Sequence, residues 1–148
     1  MKKKNSMKYT EMELQCNDIM WFGIDKNHRV FECTSGGLGN IPAFVINNKE
    51  DNATLKDYFM NLKEDKCECR LMVDEDDELI RQCIHLAKCG IYCFDVNYDN
   101  DNEYVAVAKP ATPLSFNSLP RNIQDILRNN YCDIDVNEQD AIKVKHGF

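Results

Sequence analysis

The side chains best suited to hold a metal or to act as nucleophiles crowd one part of the chain, where Cys67, Cys69, Cys83, His85, Cys89 and Cys93 follow one another. Structural zinc favours close thiol pairs presented on tight turns. Cys67 and Cys69 lack that spacing, Cys83 falls on the apolar face of a predicted helix, and Cys93 falls within a predicted strand. Cys83 and His85 do not make a nucleophile and its base either, because side chains two apart on a helix point to different sides. The eight cysteines read as small apolar residues kept reduced in a cytoplasmic chain.

Two other groupings could do chemistry. Gly36-Gly37-Leu38-Gly39-Asn40 precedes a possible helix, and backbone N–H groups there could cradle an anion. The segment lacks the Lys-Ser/Thr of a phosphate loop and leaves a hairpin instead of a parallel strand, so it reads first as a structural corner. The acids gather at Asp74, Asp76 and Asp77, and again at Asp99, Asp101 and Glu103. They are either a solvated helix start and a solvated loop, or a negative surface facing a basic partner whose approach it would speed. No His or nucleophile stands near either cluster at a spacing that suits acid–base catalysis. The residues therefore assign no catalytic group, no cofactor and no metal.

The elements that position these groups can be read in order. Residues 1–8 are polar and expected to fray; Tyr9 to Cys16 suits a short helix with Met12 and Cys16 on one side. Ile19 to Ile24 and Val30 to Cys33 form a hairpin around Asp25-Lys26-Asn27-His28, a turn whose Asp and Asn tolerate left-handed backbone. Pro42 suits the first turn of a helix through Ile46. After a polar connection from Asn47 to Asn52, Thr54 and Asp57 resemble a capping box, and Leu55, Tyr58, Phe59 and Leu62 give a helical period. Leu71 to Val73 suits a short strand. A second helix starts in the acid run from Asp74 to Glu78, turns Ile80, Cys83, Ile84 and Ala87 inward and stops at Gly90. Ile91 to Val96 and Tyr104 to Ala108 form a second hairpin around a polar loop from Asn97 to Asn102, followed by an extended exit at Lys109-Pro110. Ser118 is placed to cap a third helix carrying Leu119, Ile123, Ile126 and Leu127 inward. The tail from Tyr131 to Phe148 is an edge strand or coil. Hairpins separated by helices predict an α+β fold, an antiparallel sheet of two hairpins with three main helices packed on one face.

The 148 residues, 43% of them hydrophobic, suit a single domain over 1–148 that buries roughly 70% of its unfolded surface. A net charge of −7 disfavours nucleic acid and anionic membranes as partners. The basic start, Met1 to Lys8, is followed by Tyr9-Thr-Glu-Met-Glu where an export signal would need an apolar run, and no run approaches the length of a membrane span.

Trp21-Phe22-Gly23-Ile24-Asp25, Val30-Phe31, the corner from Thr34 to Gly39 with Ile41-Pro42, Gly90-Ile91-Tyr92-Cys93-Phe94-Asp95, Pro113-Leu114 and Leu119-Pro120 together resemble a group of small bacterial proteins. Those are similar to the immunity proteins that accompany bacterial polymorphic toxins. The resemblance spans most of residues 14 to 130 and rests on scaffold motifs; it departs at Cys93, in the Asn-rich loop and after Tyr131. It implies a non-enzymatic, cytoplasmic protein-binding module whose partner is another protein, a basic toxin domain. The alternative is a small enzyme or anion-binding domain using Gly36 to Gly39 and the Cys/His groups.

Overall fold

The computed structural model describes residues 7–63, 67–74 and 77–147. The fold is α+β, and among these residues it comprises six strands and five helices in the order α1 (Glu11–Cys16), β1 (Met20–Ile24), β2 (Val30–Thr34), α2 (Ala43–Ile46), α3 (Lys49–Met60), β3 (Cys69–Leu71), α4 (Glu78–Lys88), β4 (Tyr92–Asn97), β5 (Asn100–Pro110), α5 (Arg121–Asn129) and β6 (Ala141–Lys143). The two hairpins, β1–β2 and β4–β5, share one sheet of order β1-β2-β4-β5-β3, with β6 also pairing with β5. They are joined by a parallel pair, Phe31 to Thr34 beside Tyr92 to Asp95, so the sheet is mixed where an antiparallel one was expected. The long segment between β2 and β4, carrying α2, α3 and α4, is what permits that parallel return.

Both faces of the sheet are covered. Phe22, Val30, Cys93 and Val107 meet Leu55 and Phe59 of α3, Leu86 of α4 and Leu127 of α5 on one side. On the other, Trp21, Phe31, Phe94 and Tyr104 meet Leu14 of α1, Val45 and Ile46 of α2, and Val136 and Ile142 of the tail. β1 and β2 are buried at every position, which is why they read as apolar runs instead of alternating. Trp21 packs edge-on against Phe31, Phe44 and Tyr104 at 5.7–6.0 Å between ring centres.

Several local expectations change. In α1 the inward residue is Leu14, while Met12 and Cys16 are exposed; Thr10 caps it through a reciprocal bond pair with Glu13. α3 begins before Thr54, whose hydroxyl donates to Glu50 O at 3.1 Å inside the helix, so no capping box forms there. In α4, Leu86 is fully buried and Ile84 only partly. Gly90 does end α4, at φ 93°, with its N–H on Ala87 O and the Ile91 N–H on Leu86 O, the paired bonds of a Schellman motif. Ser118 does not cap α5; it closes a short 3₁₀ turn, its hydroxyl donating to Ser115 O, and Pro120 occupies the cap position. The short strand lies at Cys69–Leu71, earlier than Leu71 to Val73, and Lys109-Pro110 continues β5.

Two buried charges secure the ends of the sheet. Asp25 accepts from the N–H groups of Asn27 (2.9 Å), Arg29 (2.8 Å) and Val136 (3.0 Å), joining the first turn to the tail. The left-handed residue of that turn is His28, at φ 60°, and not Asp or Asn. Lys109 Nζ donates to Asn137 O, Gln139 O and Asp140 Oδ1 at 2.9–3.0 Å, fixing the chain that leads into β6. At the other end, residues 1–6 lie outside the described residues, while Met7 O already accepts from the Lys49 N–H.

Candidate functional site

The β4–β5 turn projects a large aromatic into solvent. The expected six-residue loop contracts to Tyr98-Asp99, because Asn97 pairs with Asn100 and the two asparagine side chains brace the turn. Asn97 Oδ1 accepts from the Asp99 N–H at 3.0 Å, and Asn100 Oδ1 from the Asn102 N–H at 3.1 Å. Tyr98 is 65% exposed.

Beside it lies a cleft of about 380 Å³ whose lining includes Asp77, Ile80, Asp95, Asp99, Val105 and Val107. Its apolar part is supplied by α4 and β5, and its carboxylates come from three elements. Asp77 is held as the N-cap of α4, accepting from the Ile80 N–H at 2.9 Å. Asp95 stands on β4 opposite Val105, and Asp99 is in the turn. Asp18, fixed by the Gly36 N–H at 2.7 Å, adds a fourth charge near Tyr98. The phenol is pushed above its usual range by Asp95 first, then by burial, Asp18 and Asp77. Tyr98 thus stands in a field of converging negative charge.

The acids singled out in the sequence divide. Asp77 and Asp99 meet at this cleft, though far apart in the chain. Asp74 is exposed just before α4 and outside the lining, and Asp76 lies outside the described residues. Asp101 lines a different cavity, and Glu103 accepts from Asn97 Nδ2 at 3.1 Å while pairing in register with Lys143. Asp18, Asp95 and Tyr98 were not anticipated; Asp95 shares a strand face with Cys93, a parity the sequence does display.

That different cavity, of about 260 Å³, sits at the glycine corner and is lined by Glu11, Leu14, Gly37, Gly39, Asp101 and His146 among others. The corner is structural in its geometry: Gly36 and Gly37 have φ of 61° and 73°, and a Cβ on Gly37 would stand 2.9 Å from Gln15 O. Its amides are engaged within the chain. Gly36 donates to Asp18, Gly37 to Ser35 Oγ, and Leu38 and Gly39 to Ser35 O. With Glu11 and Asp101 in the wall as well, the cavity disfavours an anion.

None of the eight cysteines is in a disulfide, and they are dispersed with one exception. Cys67 Sγ bonds Glu68 O and Thr112 O, and Cys89 Sγ donates to Lys63 O. Cys83 and Cys93 converge in the core with Glu32, a residue passed over in the sequence. Glu32 Oε1 accepts from Thr34 Oγ1 at 2.6 Å and Oε2 from Cys93 Sγ at 2.8 Å. Burial pushes the Glu32 carboxyl up to about 8 and the Cys93 thiol well above its usual range.

Comparisons with protein-family models, with curated proteins and with solved structures find no match for this chain. Among the described residues, no helix is long and apolar enough to cross a membrane.

Proposed function

We propose that this chain is a non-enzymatic protein-binding module that seats a basic segment of a partner at the Tyr98 cleft, neutralising a bacterial toxin in the cytoplasm as immunity proteins do. The observation that carries the reading is the convergence of Asp77, Asp95 and Asp99 around an apolar floor beside exposed Tyr98. An aromatic anchor with an acidic rim suits Lys and Arg side chains, which stack on the ring while their charges meet carboxylates. The net charge of −7 favours the same class of partner and would speed its approach. The alternative, an anion-binding domain on Gly36 to Gly39, is weaker because that corner's amides bond within the chain.

The test is affinity capture from a lysate of the source organism, with wild type beside a triple variant, Asp77→Asn, Tyr98→Ala and Asp99→Asn. Asparagine can still cap α4, so this variant keeps its fold. The wild type should retain a basic protein that salt releases and the variant fails to hold. Equal retention by both would count against the cleft.

A further inference from the structure

We propose that Glu32, Cys83 and Cys93 form a buried site for one thiophilic divalent cation of the Zn²⁺ type. The donors come from three elements: Glu32 from β2, Cys93 directly opposite on β4, and Cys83 from α4 above them. One carboxylate oxygen and the two sulfurs all lie within 4.8 Å of one another. In a tetrahedral zinc site such donor atoms stand about 3.5–3.8 Å apart, given the usual Zn–S and Zn–O lengths. Small side-chain adjustments therefore bring all three onto one ion.

The surroundings favour that occupant. All three residues are buried to 1% exposure or less, and both cysteines belong to the apolar core that also holds Phe22, Ile80, Ala87 and Ile91. Among the described residues no Lys, Arg or His pairs with Glu32, so its carboxylate has no charged protein partner. A buried acid without a charged partner is neutral only while it keeps its proton; a dication bound to one carboxylate and two thiolates takes the place of three protons and leaves a single net negative charge. Two soft sulfurs with one oxygen suit zinc better than magnesium or calcium, which take oxygen donors. Thr34 fixes the carboxylate through its 2.6 Å bond to Oε1, the outer contact that metal-bound carboxylates commonly have.

Binding would displace the protons of both thiols and of any protonated Glu32, and would fasten α4 to the centre of the sheet. Because α4 begins at the Asp77 cap, the ion would also hold one wall of the Tyr98 cleft in place. The spacing of Cys83 and Cys93 along the chain hides this site, since its third donor comes from a distant strand.

The experiment refolds the full chain under a phosphine reductant with equimolar Co²⁺ as the probe, then removes loose metal. One cobalt per chain is expected, with a sulfur-to-cobalt charge-transfer band and a raised melting temperature. Glu32→Gln and Cys83→Ala should each abolish the stoichiometric uptake, Cys67→Ser should leave it intact, and Thr34→Val should weaken it about 10-fold or more. Wild type that emerges without cobalt, or a band kept in both Cys83→Ala and Cys93→Ala, would overturn the proposal. The wild-type measurement stands whether or not any variant folds.

Discussion

At the scale of single residues, the buried acids carry the sharpest expectations. Asp25 satisfies three backbone N–H groups that find no other acceptor among the described residues, linking the first turn to Val136. Asp25→Ala orphans them, and at least one is buried, so a loss of about 3 kcal/mol is expected in urea unfolding, with faster amide exchange at Val136. A loss under about 0.5 kcal/mol would show that the tail is held otherwise. Glu32 behaves differently, because its folded pKa of about 8 lies above the 4.5 of the free side chain. Through that window the unfolded chain releases the proton while the folded chain retains it. Stability of the chelator-treated protein should therefore be greatest below pH 4.5 on this group's account, and fall as pH rises toward about 8 by about 1.4 kcal/mol per unit. Glu32→Gln should flatten that slope; an unchanged slope would assign it to other groups. Neither role is legible from type alone. Asp25 reads in sequence as part of a turn and Glu32 as one member of the apolar run from Val30 to Cys33, and only their burial by elements distant in the chain gives each its role.

At the scale of elements, periodicity located α3, α4 and α5 and their inward faces because each has one face on the sheet and one in solvent. It misassigned detail where the face is wide. In α4 both Ile84 and Leu86 satisfy an apolar stripe, and only packing decides that Leu86 is fully buried while Ile84 sits at the margin. Leu86→Ala should cost about 2–5 kcal/mol and Ile84→Ala clearly less, as measured by thermal or urea unfolding. Equal losses would mean that α4 is rotated relative to this account. The glycine corner was legible as a corner, since three glycines after an apolar run have few other uses. Gly37→Ala should destabilise by about 1 kcal/mol or more, because its φ of 73° and the nearby Gln15 carbonyl both oppose a Cβ. The short α1 and α2 offered too few turns for a period, so their cover of the second sheet face was not foreseen.

At the scale of the whole molecule, hairpins separated by helices were enough to indicate an α+β fold, but not the parallel pairing of β2 with β4 that unites them. Strands buried on both faces lose the alternation that would have reported their surroundings, and Trp21, Phe22, Phe31 and Phe94 all read alike. The candidate site was half legible. Asp77 and Asp99 were visible as acids, yet their meeting at Tyr98 depends on how α4 packs against β5. Charge at an exposed cleft contributes little to stability and much to encounter, so its removal should separate folding from binding. The decisive measurement is the association rate of the captured partner across ionic strengths, for wild type, Asp77→Asn with Asp99→Asn, and Asp74→Asn with Glu103→Gln. The Asp77 and Asp99 pair should lower the low-salt rate and flatten its salt dependence with little change in melting temperature, while the Asp74 and Glu103 pair changes the rate less. Identical rates and salt slopes for all three proteins would contradict binding at this cleft.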